Sequence, residues 1–336
     1  MYIPRLIDIS FNMSFFLLLA KIVICAVFLL VAVAYFTLEE RKLLATMQRR
    51  KGPNVHGVFG LLQPLADGCK LFFKECIIPS NANAKIFLFA PQLTLALGLA
   101  GWSVIPFSKY SYIASCNIGL LYVLASSSLG VYGIIISGWS SNSKYPMLGA
   151  LRSAAQIISY EISAGFIILT LGMCVQSFEI TDIVLFQKYG CWFIFPFHHI
   201  ALVFFIVGLA ETNRHPFDLP EAEAELVSGY NVEYSGMPFA LFSLGEYLNM
   251  LMISALMVTL FFGGWLPPFD FLSFIPGGIW FSLKLSLFVY FYVLARAALP
   301  RYRYDQLMAL GWSHFVPGTF LYFVFCCGLF KALGII

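Results

Sequence analysis

Glu161, Glu211 and Glu246 stand inside, or at the edge of, long apolar stretches. An ionised carboxylate in hydrocarbon costs about 2.5–3.5 kcal/mol or more, so such residues turn toward protein or water and often mark proton or ion routes. A structural hydrogen bond between helices is the plainer reading, and it serves one isolated acid better than three. With a rise of about 1.5 Å per residue, Glu161 and Glu246 lie roughly 10–12 Å in from the same side, and Glu211 closes a third helix there. Carboxylates from three helices can therefore share one depth and pass protons.

Acid is densest in ETNRHPFDLPEAEAELVSGYNVEYSG, residues 211–236, where Glu211, Asp218, Glu221, Glu223, Glu225 and Glu233 face a single base, Arg214. Asp218 and Glu221 fit a capping box, with Pro220 tolerated in a first helical turn. That accounts for two acids. Glu225 falls four residues past Glu221 on the same helical face and repels it, and Glu223 lies on the other face. The segment is expected to hold mutually coupled, partly protonated carboxylates.

Bases and aromatic residues gather nearby in sequence. ERKLLATMQRRKGPN carries Arg41, Lys42, Arg49, Arg50 and Lys51 before a Gly52-Pro53 break, and ARAALPRYRYDQL sets Arg296, Arg301 and Arg303 among Tyr302, Tyr304 and Asp305. Both runs suit lipid phosphate and helix anchoring. Guanidinium forks beside aromatic faces also suit a polar headgroup on an apolar tail. Between them, Gln63, Asp67, Lys70 and Lys74 fall on one helical face, and Leu65, Cys69, Phe72, Phe73 and Cys76 on the other. Such a helix lies in the membrane interface, with Asp67 either meeting water or standing where a headgroup could sit.

The elements that must position these groups are membrane spans. The chain is 60% hydrophobic and 11% charged, with apolar runs reaching the roughly 20 residues a bilayer requires. The fold class expected is an all-α polytopic membrane protein: one domain, residues 1–336, of about eight transmembrane helices plus the interfacial helix. Spans are expected near 14–37, 86–107, 117–138, 154–175, 192–210, 239–262, 279–297 and 315–335, with loops 38–85, 139–153, 211–238 and 298–314 on one side. Pro196, His198 and His199 trouble the fifth span, and Lys284 lies within the seventh. The first run reads as a span that stays, with no cleavage pattern or transit peptide. Fourteen of the twenty bases fall on the long-loop side, which places it in cytoplasm or matrix.

Several function classes are excluded or left without support. A net charge of +3 with dispersed bases does not point to nucleic acid. The five histidines lack haem or zinc spacing, no phosphate-binding glycine loop occurs, and no fixed-period repeat is visible. The eight cysteines form no C-x-x-C and are expected to be small core residues.

The segments ERK with RKGPN (40–54), LLQPLADGCKL (61–71), GWSSNSKY with GALRSAAQIISYE (138–161), AETNRHPFDLPEAEAELVSGYNVEYS (210–235), GEY (245–247) and PRYRYDQLM (300–308) closely resemble the subunit 1 family of proton-pumping NADH:ubiquinone oxidoreductase, respiratory complex I. His56, Pro146 and His215 depart from the commonest family residues. The resemblance implies an eight-helix subunit at the heel of the membrane arm, acting as part of an enzyme with no catalysis by the chain alone. By family position, Arg41, Arg50, Asp67, Arg214, Arg296 and Asp305 would line or support a tunnel for ubiquinone, the substrate. Glu161, Glu211, Asp218, Glu221, Glu223, Glu225, Glu233 and Glu246 would begin the proton-coupling path. FMN and iron-sulfur clusters are expected only in partners, which would be other membrane-arm subunits and the quinone module of the peripheral arm. The implied location is the mitochondrial inner membrane, with a bacterial plasma membrane as the alternative. The rival readings are a proton-coupled secondary transporter, an assembly scaffold, or the related membrane subunit of a membrane-bound hydrogenase.

Overall fold

The computed structural model describes residues 3–109, 111–218 and 229–332, with side chains from Phe16 onward except that of Asp270. Among these residues there is no strand beyond one isolated bridge, Ser108 with Ser111. The helices are α1 (Ile3–Met47), α2 (Gln63–Phe73), α3 (Ala84–Gly101), α4 (Gly119–Ser140), α5 (Lys144–Val175), α6 (Ile180–Tyr189), α7 (His198–Glu211), α8 (Gly236–Phe261), α9 (Gly277–Ala298), α10 (Tyr304–Leu310) and α11 (Val316–Ala332). A π-helical stretch, Gly311–Phe315, makes α10 and α11 one continuous run.

Seven of these runs are long and apolar enough to cross a membrane, so the chain is an all-α, multi-pass membrane protein. The eighth apolar helix, α7, has 14 residues. That is about 21 Å, against a hydrocarbon core of about 30 Å. The apolar run from 192 is helical only from His198, because Pro196 supplies no N–H and the chain around it turns before α7 begins.

The centre of the bundle is α8, which packs against α1, α2, α3, α6, α7 and α9. Every residue from Met250 to Phe261 is buried, as an all-round apolar helix requires. Its start is fixed by Gly236, whose φ of 60° and approach to the Lys74 carbonyl (2.8 Å from an added Cβ) leave no room for a side chain. Helices α3 and α4 close over Gly133, where a Cβ would stand 2.2 Å from the Thr94 methyl group. Without water to drive apolar association, such close backbone approach is what holds membrane helices together.

Lys284, unexpected in an apolar span, is satisfied by backbone. Its Nζ donates to the carbonyls of Phe262 (2.6 Å), Gly264 (3.1 Å) and Leu266 (2.7 Å), closing the end of α8, and it lies 4.4 Å from the centre of the Trp192 ring. Gln187 ties α6 to the same end by donating to the Thr259 and Leu260 carbonyls and accepting from the Gly263 N–H.

Two expectations need correction. The amphipathic helix α2 ends at Phe73, so Lys74 and Cys76 fall past it, on an extended stretch leading to Pro79. No α2 residue is buried in this chain; Leu65, Phe72 and Phe73 leave the apolar face open, as a helix lying in the interface would. Nor are the cysteines generally core residues: Cys326 is buried, whereas Cys69, Cys76 and Cys191 are exposed. In a membrane protein the lipid-facing surface is itself apolar, so an apolar neighbourhood in sequence does not separate core from lipid face.

Candidate functional site

The first constellation forms around Glu40. On α1, Leu29, Val33, Phe36 and Glu40 follow helical spacing along one buried stripe, and Glu39 points outward. Glu40 is 3% exposed. Arg296 of α9 donates to its Oε1, Arg214 approaches to 3.9 Å, and the Tyr247 hydroxyl of α8 donates to Oε2 at 2.7 Å. The Arg214 guanidinium stacks 4.4 Å from the centre of the Tyr247 ring, and its Nε donates to Met250 Sδ at 3.1 Å. A buried charge is tolerable only when paired and hydrogen-bonded, and this node meets that condition with two cations, one anion and a phenol.

Ion pairs continue outward. Arg41 meets Asp67 of α2 at 2.6 Å, and Gln63 donates to the other oxygen of Asp67 at 3.0 Å. Arg301 meets Asp218 at 3.1 Å; Arg303 and Asp305 form an exposed contact at 3.6 Å. Gln156 of α5 holds the start of the acidic loop by donating to the Ala210 carbonyl (2.8 Å) and the Phe217 carbonyl (2.9 Å), while Tyr302 stacks on Phe217. His215 lies in this loop, where burial first, and then the Arg301 and Arg296 guanidinium groups, hold its pKa below the usual imidazole range against the opposing pull of Asp218.

The second constellation joins α4, α5, α7 and α8. Glu161 of α5 accepts hydrogen bonds from Ser127 (3.3 Å) and from Ser128 of α4. Ser127 and Glu211, at the end of α7, line the same small cavity of about 50 Å³, together with Glu246, Thr94, Asn213, Tyr230 and Asn249. The Tyr230 hydroxyl donates to Glu246. At roughly 10–15 Å³ per water centre, the cavity of about 50 Å³ has room for about three to five waters among polar walls.

The three glutamates singled out from sequence are thus brought together by hydroxyls and a shared cavity. Arg214 and Arg296 meet at Glu40, and Arg41 pairs with Asp67; Asp305 stands apart with Arg303, and Arg50 is exposed beyond the end of α1. Glu233 is half-buried beside Tyr234. Glu221, Glu223 and Glu225, with the capping box expected there, lie outside the described residues. Sequence reasoning missed Glu40, Tyr247, Ser127, Ser128 and Tyr230 as site residues. For Glu40 a signal existed, since its helical phase matches the apolar stripe of α1. For the hydroxyls none did, because serine and tyrosine are common in membrane helices.

Seven helices of membrane length enclosing buried carboxylates, hydroxyls and arginines define a polytopic membrane protein with a polar interior. Similarity to known proteins is more specific: the family model described as NADH dehydrogenase matches residues 20–327, and the chain belongs to that family. It is similar to NADH-ubiquinone oxidoreductase chain 1 of Cyanidium caldarium, 54% identical over 321 residues that cover 95% of this chain and 93% of the relative. The chain 1 protein of Arabidopsis thaliana is 59% identical over 291 residues, covering 86% and 89%. That of Chondrus crispus is 59% identical over 302 residues, covering 89% and 92%.

Proposed function

We propose that the chain is the membrane-arm subunit of an NADH:ubiquinone oxidoreductase that houses the quinone headgroup and relays its reduction to proton translocation. The observation that carries this reading is the convergence of Glu211 and Glu246 on one polar cavity that Ser127 also lines, with Glu161 accepting from the Ser127 hydroxyl. Quinone arrives from the membrane, which suits the open apolar face of α2 beside the Arg41–Asp67 pair. Its reduction takes up electrons and protons, and the electrons come from iron-sulfur clusters and FMN in partner subunits of the peripheral arm.

Within this chain the residues divide the work. Arg41, Asp67, Arg296 and Arg214 bind and orient, because guanidinium forks and a carboxylate match a polar headgroup; Arg50 and Asp305 extend that charged rim. A change of charge there alters what Arg214 and Arg296 ask of Glu40. The acidic loop, with Asp218, Glu221, Glu223, Glu225 and Glu233, links this region to Glu211, and thence through Ser127 to Glu161 and through the cavity to Glu246. The membrane is the mitochondrial inner membrane, with the long loops on the matrix side.

Replacing Glu161 by Gln in the intact complex tests this reading. Assembly is expected to persist, while quinone-linked proton pumping in sealed vesicles falls by about 10-fold or more, in keeping with the loss of a proton-transfer group. Full pumping by the assembled variant would overturn it.

A further inference from the structure

A cavity much larger than the polar one serves neither constellation. It opens at the opposite end of the bundle, has a volume of about 650 Å³, and is walled by Ile24 and Phe28 of α1, Trp102, and Phe281 and Leu285 of α9. Its one charged side chain is Lys21, and Ser111, Tyr112 and Ser282 bring hydroxyls to its lining. Among the described residues no acid pairs with Lys21, which is exposed. Lys21 precedes Glu40 on α1 by nineteen residues, about 28 Å along the helix. That is close to the roughly 30 Å thickness of the hydrocarbon layer, so the ammonium stands at the far headgroup level while the cavity runs inward from it. Its size falls within the range of about 300–1,000 Å³ typical of small-molecule sites, and its lining is mostly apolar with a few polar groups.

We infer that this cavity binds a glycerophospholipid, with the phosphate at Lys21 and an acyl chain laid between α1 and α9. The bilayer supplies such a molecule at high concentration, and both parts of the cavity find their match in it: apolar walls for the chain, and a cation and hydroxyls for the phosphodiester. This site is independent of the quinone and proton reading.

The test uses the whole enzyme complex in nanodiscs containing a phosphatidylglycerol with a diazirine at mid-chain. After irradiation, labels are expected on peptides holding Ile24, Phe28 and Leu285 at a level several-fold above that on Phe325, an exposed α11 residue. A diazirine diacylglycerol, which lacks the phosphate, is expected to label these peptides several-fold less. Lys21→Gln and Ser282→Phe are both expected to reduce the phospholipid label without changing that at Phe325; the first removes the charge and the second narrows the cavity at an exposed position. Labelling no higher than at Phe325, equal labelling by the diacylglycerol, indifference to both variants, or stronger labelling by a photoreactive quinone would each overturn the proposal.

Discussion

The two ends of α9 answer the same problem differently. Near its start Lys284 is buried and surrounded by backbone carbonyls from the end of α8; near its finish Arg296 reaches the buried carboxylate of Glu40. A backbone carbonyl does not ionise near neutral pH, and these three, on the turn just past α8, move only if the chain itself moves, so the Lys284 arrangement is fixed by the fold. The Glu40 arrangement depends on side chains that ionise, rotate and compete, with Arg214 and Tyr247 also claiming the carboxylate. Charge is structural at one end and adjustable at the other.

The largest effect is expected from Glu40→Ala, which leaves two guanidinium groups facing a void. Breaking a buried pair costs about 3–5 kcal/mol, so assembled complex should fall steeply on a native gel; normal amounts would show that the node is not a buried ion pair in the enzyme. Lys284→Met comes next. Each carbonyl left unsatisfied costs about 1–3 kcal/mol, partly recovered by relaxation. Assembly is expected to drop while turnover per assembled enzyme stays unchanged. Loss of turnover at full assembly would erase the contrast between the two ends.

Ser127→Ala sharpens the comparison from the adjustable side. Its stability cost is expected near 0.5–1.5 kcal/mol, about that of an ordinary hydrogen bond. Quinone KM should hold while pumping falls, and equal pumping by the variant would remove Ser127 from the relay. The smallest effect concerns His215. Its depressed pKa means that the folded state favours the neutral ring, a contribution present above the unfolded value of about 6.5 and lost as pH falls below it. Thermal melts of the complex between about pH 7 and 5 should thus steepen in the wild type and flatten in His215→Gln; parallel curves would count against a neutral His215.

The helical architecture was legible because apolar runs of membrane length allow only one backbone solution, the helix. The convergence of Glu161, Glu211 and Glu246 could be anticipated, since helical rise alone sets a depth. The helical phase of Glu40 was readable too; what could not be anticipated was which distant side chains meet it. Glu39 and Glu40 are adjacent and chemically alike, yet only Glu40 lies on the stripe of Val33 and Phe36, and its partners come from residues 174 and 256 positions further along the chain. The cysteines show the same limit from the other direction, as burial in protein and contact with lipid leave one compositional mark. The shortness of α7 was foreshadowed by Pro196, but its start at His198 required the turn that precedes it.

One hydroxyl carries a constraint of its own. Ser127 owns a single hydrogen, yet both the Leu124 carbonyl at 2.9 Å and Glu161 at 3.3 Å stand within reach of it, on the wall of the cavity that Glu211 shares. It can satisfy only one of the two fully at any instant, so the carbonyl and the acid hold it as rivals. A turn about one side-chain bond transfers its allegiance, and an acid that loses it must find water or a hydrogen of its own.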